Sequence, residues 1–145
     1  MKWMLSGGAI LGALAVAGGA FGAHALEGLL SARALGWYDT AVTYHATHAL
    51  ALFGCGLLAR QTSAPIADPT ADPTVVRPAA VPSATLRLAA LAFVGGVALF
   101  SGSLYAMAFT GWTRLGMVTP FGGLLLIVGW GALAVAAARL PSDVS

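Results

Sequence analysis

The chain has 145 residues, of which 59% are hydrophobic and 8% are charged, and its mean hydropathy is +0.86. Soluble domains carry about 25% charged residues, so this composition excludes a soluble globular protein, and the length fits a single domain. The formal net charge of +2 comes from lysines and arginines scattered along the chain, a pattern that excludes a nucleic-acid-binding surface.

The first predicted membrane helix covers about residues 3–26 and is the first of four long apolar segments. About 20 apolar residues, at about 1.5 Å each, cross a hydrocarbon core of about 30 Å. Lys2, the apolar stretch and the Ala23-His24-Ala25 sequence also resemble a cleavable signal peptide. However, the apolar stretch is longer than a signal peptide needs, and Gly8 and Gly12 have the spacing of packed membrane helices. We therefore expect this helix to be retained.

The second predicted helix covers about residues 40–59 and follows a connector that ends with Trp37 and Tyr38. Such aromatic residues are typical of the membrane–water interface. His45 and His48 lie three residues apart in this helix and therefore share a face. Cys55 is the single cysteine, and we interpret it as a small packing residue.

Residues 60–85 differ in kind, because they contain five prolines and the repeated sequence Ala-Asp-Pro-Thr. Proline lacks a backbone N–H donor, and its spacing here of four or five residues is incompatible with a helix. This composition predicts a flexible, solvated linker with no catalytic role.

The third and fourth predicted helices cover about residues 86–109 and 115–138 and are joined by a tight turn near residues 110–114. Together the four segments predict an all-α integral membrane four-helix bundle that forms one domain, residues 1–145. With the N-terminus in the cytoplasm, one side holds Lys2, Arg60, Arg77, Arg87 and Arg139, and the other holds Arg33 and Arg114. Because basic residues concentrate on the cytoplasmic side, this bias favours cytoplasmic N- and C-termini.

In this orientation the polar side chains of the helices all fall in the outer half of the bilayer, at similar depth. We call them the predicted polar layer: His24, His48, Ser101, Ser103, Tyr105 and Thr119. Hydrogen bonding between helices is the favoured interpretation, because lipid offers such groups no partner. A proton or solute pathway is the second. Metal or haem binding is the third, and no carboxylate lies at the same depth to support it.

Several segments resemble the domain-of-unknown-function 423 family of small polytopic membrane proteins, which includes YgdD, YwdK and transmembrane protein 256. In the first half these are Gly19–His24, Thr40–Val42 with Tyr44, and His48–Leu50. In the second half they are Phe100–Tyr105, Leu115–Gly116, Thr119–Pro120, Gly122–Gly123 and Gly129–Trp130. His45 stands where the family pattern has glutamine, which favours His24 and His48 as the better pair of candidates.

The resemblance implies a multi-pass protein of the bacterial inner (plasma) membrane and supplies no activity. The sequence contains no nucleophile–base pair, phosphate loop or carboxylate dyad of the kind that catalysis uses. We therefore expect a non-enzymatic accessory or packing partner of membrane components, without cofactor, metal or nucleic acid. Its partners would be the lipid bilayer and either another membrane protein or further copies of itself. Transport through the predicted polar layer is the alternative, and a metal- or haem-binding redox protein comes third.

Overall fold

The computed structural model describes residues 1–61 and 83–140. Four α-helices follow one another: α1 (Lys2–Phe21), α2 (Ala32–Gln61), α3 (Ser83–Thr110) and α4 (Thr119–Ala137). A π-helical turn, Gly22–Leu26, extends α1, and a 3-10 helix, Thr113–Met117, precedes α4. All four helical segments are long and apolar enough to cross a membrane. The predicted all-α fold with four membrane-spanning helices is thus confirmed.

Helix α2 begins at Ala32, eight residues before the predicted start at Thr40. Ser31 is the reason, because its hydroxyl accepts a hydrogen bond from the Ala34 N–H at 3.3 Å and so caps the first turn. Trp37 and Tyr38 therefore belong to the helix and not to a connector. Most of the predicted linker, residues 62–82, lies outside the described residues, whereas residues 60–61 and 83–85 belong to α2 and α3.

The central pair of helices is α2 and α3. Within their most apolar stretches 44% and 50% of the residues are buried, against 17% for α1 and 22% for α4. Close backbone packing joins α1 to α2, α2 to α3 and α3 to α4, so each helix lies beside its sequence neighbours. The main core centres on α2 and α3 and includes Leu52, Cys55 and Phe93. The outward faces of α1 and α4 present large apolar side chains such as Ile10, Val16 and Ile127, which suit contact with lipid.

Two glycines allow neighbouring helices to approach closely. A Cβ atom added to Gly8 in α1 would lie 2.7 Å from the Phe53 backbone nitrogen and 2.9 Å from the Ala49 carbonyl oxygen of α2. A Cβ atom added to Gly122 in α4 would lie 2.8 Å from the Phe100 Cα atom of α3. Such approaches are possible only where the residue has no side chain. These positions therefore set the spacing of the α1–α2 and α3–α4 pairs.

The connection between α3 and α4 runs from Gly111 to Val118 and is longer than the predicted turn over residues 110–114. Gly111 has a φ of +70°, a left-handed conformation that glycine adopts at no steric cost. Pro120 stands in the first turn of α4, where its missing N–H would have had no partner within the helix.

Candidate functional site

The best-connected polar side chain inside the described helices is His48. Its Nδ1 atom lies 2.7 Å from the Tyr44 carbonyl oxygen one turn earlier in α2. Its Nε2 atom accepts a hydrogen bond from the indole N–H of Trp130 in α4, at 3.1 Å. His48 is buried, with 4% of its surface exposed, and this bond links α2 to α4.

These two partners fix the protonation of His48. The indole nitrogen of Trp130 can only donate, so the Nε2 atom of His48 must be the acceptor. The Tyr44 carbonyl can only accept, so the Nδ1 atom must carry the hydrogen. The ring is therefore the neutral Nδ1–H tautomer with both nitrogens occupied. Binding a metal ion or gaining a proton at Nε2 would require the bond to Trp130 to break.

Ser103 and Thr119 form a second link, between α3 and the start of α4. Their hydroxyl oxygens are 2.8 Å apart, and the Ser103 hydroxyl also donates to the Phe100 carbonyl at 2.9 Å. Because a hydroxyl has one hydrogen to donate, Thr119 is the donor in the bond between the two residues. Both side chains are thereby engaged within the protein.

A third group of polar side chains joins α1, α2 and α3. The Tyr38 hydroxyl donates to the Gly18 carbonyl at 2.7 Å, which links α2 to α1. The ring of Tyr105 in α3 packs edge-on against the Tyr38 ring, with centroids 5.2 Å apart. The Tyr105 hydroxyl lies 3.4 Å from the Nδ1 atom of His45, a long contact between α3 and α2.

The members of the predicted polar layer do not share one depth. His48 lies about halfway along the 30-residue α2, because that helix begins earlier than the sequence predicted. His24 is exposed in the π-helical turn at the far end of α1. Tyr38 packs against Gly22, close to His24, and His48 lies about 15 Å farther along α2. His24 and His48, the two histidines that the sequence favours, are therefore far apart along the bundle.

The remaining predicted residues fall into two sets. Ser103 and Thr119 bond to each other. Ser101 and Tyr105 lie one turn apart in α3 and hence on the same face, and that face contacts His45 through Tyr105. Within residues 1–61 and 83–140, no three His, Cys, Asp or Glu side chains come together as a set of metal ligands.

A groove of about 420 Å³ opens between α2 and α4 over the ring of Phe100 in α3. It is lined by Thr43, Tyr44, Thr47, His48, Phe100, Gly123, Leu126, Ile127 and Trp130. The threonine hydroxyls donate to carbonyls one turn earlier in α2, at 2.9 Å each. Its histidine and tryptophan bond to each other. The polar atoms of these four lining residues are thus already paired within the protein.

Three residues that carry these contacts were not among the sequence candidates: Tyr38, His45 and Trp130. Tyr38 lies in the second turn of α2 and not in a connector, and the signal that identifies this helix start is the cap at Ser31. The signal for His45 is its spacing of seven residues from Tyr38, which places both side chains on one face of a helix. No local signal identifies Trp130 as the partner of a residue 82 positions away.

Comparison with known proteins gives consistent matches over most of the chain. A family model described as "Protein of unknown function (DUF423)" matches residues 18–123. The UPF0382 membrane protein YwdK of Bacillus subtilis is 38% identical over 139 residues, covering 96% of this chain and 98% of YwdK. The UPF0382 inner membrane protein YgdD of Escherichia coli is 32% identical over 139 residues, covering 96% and 92%. No solved structure matches the chain significantly.

Proposed function

The chain belongs to the DUF423 family of membrane proteins, and from this premise we propose that it is a non-enzymatic accessory protein that packs against other membrane components. The observation that carries the proposal is the bond between Trp130 and His48. The histidine most suited to chemistry inside the described helices is held as a neutral ring with both nitrogens occupied, so its role is to join α2 to α4.

The outer surface supports the same proposal. Large apolar side chains cover the outward faces of α1 and α4, among them Leu14, Val16, Phe121 and Leu124. A Cβ atom at Gly131 in α4 would meet nothing within 4 Å, so α4 presents backbone there that a helix of another protein could approach closely. These faces suit a membrane-embedded partner as well as lipid.

We assign the protein to the bacterial inner membrane with both termini in the cytoplasm. The arginine and lysine bias of the sequence supports this orientation, and the similarity to YgdD, an inner membrane protein of Escherichia coli, supports the location. Fusing a reporter that is active only in the periplasm to the C-terminus tests the orientation. We expect an inactive fusion, and an active one would reverse the topology.

Affinity purification in mild detergent, followed by mass spectrometry, tests the accessory role. We expect a recurrent membrane protein to co-purify with the wild-type chain and to be depleted in Gly131→Leu, because the new side chain blocks close approach to α4. Since a Cβ atom at that position would meet no atom of another described helix within 4 Å, we expect the variant itself to fold normally. A preparation that contains only this chain with a bound solute or metal would contradict the proposal.

Transport of a small solute or of protons is the second candidate. The groove of about 420 Å³ between α2 and α4 favours it, since that volume accommodates a small molecule. A transporter of this kind would produce flux across reconstituted vesicles, and the flux would depend on His48, which lines the groove. An accessory protein would produce none.

A further inference from the structure

Two buried polar atoms in the helical core lack a hydrogen-bond partner among the described residues: the Nε2 atom of His45 and the Oγ atom of Ser101. His45 exposes 9% of its surface and Ser101 exposes 1%. An unsatisfied polar group in a membrane interior is strongly unfavourable, so such atoms rarely lack a hydrogen-bond partner. They differ in this from His48, both of whose ring nitrogens are bonded.

Both atoms belong to the interface between α2 and α3. The Tyr38–Tyr105 ring pair and the Tyr44–Phe100 ring pair, with centroids 5.2 and 4.3 Å apart, set the antiparallel register of these helices. In that register Ser101 is opposite residues 42–43 of α2, and His45 lies within one helical turn of that level. Ser101 also lies one turn before Tyr105 on the same face of α3, and Tyr105 contacts the Nδ1 atom of His45.

From this geometry we propose that the Nε2 atom of His45 and the Oγ atom of Ser101 bind one buried water molecule between α2 and α3. Water is the ligand whose hydrogen bonding fits both tautomers of His45. If Nδ1 donates to the Tyr105 hydroxyl, Nε2 is an acceptor, and if Tyr105 donates to Nδ1, Nε2–H is a donor. Water can donate or accept, and so can the serine hydroxyl, whereas a cation or an anion would suit only one of these arrangements.

The water site extends the polar contacts of this interface into one connected set. Tyr38 bonds to Gly18 of α1, Tyr38 packs on Tyr105, Tyr105 contacts His45, and the water joins His45 to Ser101. Buried waters of this kind make about three hydrogen bonds to otherwise unsatisfied groups and are held firmly. This inference is independent of the proposed accessory function, because it concerns only the interior of the described helices.

A double-mutant cycle tests the site through the equilibrium constant of unfolding in detergent. If the water is present, Ser101→Ala removes one of the water's hydrogen-bond partners. We therefore expect the folded-to-unfolded ratio to fall about threefold to tenfold. In a His45→Leu background the same change should cost less than about twofold, because the shared ligand is already lost. Ser103→Ala is the matched control, since it breaks a direct bond to Thr119 and should cost the same in both backgrounds.

The sign of the stability change in Ser101→Ala distinguishes a serine that binds water from a serine without a partner. If Ser101 has no partner of any kind, removing its hydroxyl would raise stability, and this would overturn the proposal. Equal losses in the two backgrounds would overturn it as well, because they would show that His45 and Ser101 share no ligand.

Solid-state NMR of the wild-type protein in lipid bilayers gives a second measurement that does not depend on a stable variant. With ¹⁵N-labelled histidine, we expect a cross-peak between water protons and the Nε2 atom of His45. We expect none at His48, whose nitrogens bond to Trp130 and Tyr44. A His45 signal without water contact would contradict the site.

Discussion

Replacing Gly122 with alanine lowers the free energy of unfolding by about 1–3 kcal/mol, the range for overpacking a close contact. The added Cβ atom would lie 2.8 Å from the Cα atom and 2.8 Å from the Cβ atom of Phe100, and it would also meet the Phe100 backbone nitrogen. Two of these atoms are backbone, so a side-chain rotation cannot relieve the clash. Helix α4 must instead move away from α3, which also strains the Ser103–Thr119 bond.

Gly131→Ala is the matched control for this prediction, because it makes the same change in the same helix. A Cβ atom at Gly131 would meet nothing within 4 Å in the described structure. Alanine has a higher helix propensity than glycine by about 1 kcal/mol, so we expect unchanged or slightly higher stability. Unfolding followed by circular dichroism in mixed micelles with increasing sodium dodecyl sulfate measures both variants. Equal stabilities would show that α3 and α4 are not in close backbone contact at Gly122.

Replacing His48 with leucine lowers the free energy of unfolding by about 0.5–2 kcal/mol, the range for interhelical hydrogen bonds in membranes. Leucine is of similar size but apolar, and it removes the acceptor of the Trp130 N–H, 3.1 Å away. It also removes the 2.7 Å bond to the Tyr44 carbonyl. The link between α2 and α4 is thereby lost, and the indole N–H loses its partner.

The matched control for His48→Leu is Trp130→Phe, which removes the donor and keeps an aromatic ring beside Phe93. If the bond is the source of the stability, the two changes will not be additive, and the double variant will be little worse than His48→Leu alone. Detergent unfolding of the four proteins measures this coupling. A His48→Leu variant as stable as the wild type would mean that the histidine faces a cavity or lipid and not Trp130.

Hydropathy predicted the fold because a membrane constrains the length and composition of each helix more strongly than a soluble core does. The predicted start of α2 is wrong because the charged residues Arg33 and Asp39 lower the local hydropathy. The helix nevertheless begins before them, after the cap at Ser31. Helix ends depend on capping and not on apolar content.

The pairing of the polar residues was much harder to predict. The bonds from Trp130 to His48 and between Ser103 and Thr119 can be predicted only when the rotation and register of the helices are known. Hydropathy and residue spacing do not specify either. Glycine spacing likewise does not predict which glycines contact a neighbouring helix. Gly8 and Gly12 appear equivalent in the sequence, yet a Cβ atom would clash at Gly8 and would meet nothing within 4 Å at Gly12.

The polar side chains inside the membrane hold the helices together and do not carry a flux. Proton flux into vesicles containing the purified protein, followed with a pH-sensitive dye under a valinomycin-imposed potential, is the decisive measurement of this role. We predict the same flux as in protein-free vesicles for the wild type, for His48→Leu and for the Gly131→Ala control. A protein-dependent flux that His48→Leu abolishes and Gly131→Ala retains would instead identify the protein as a transporter.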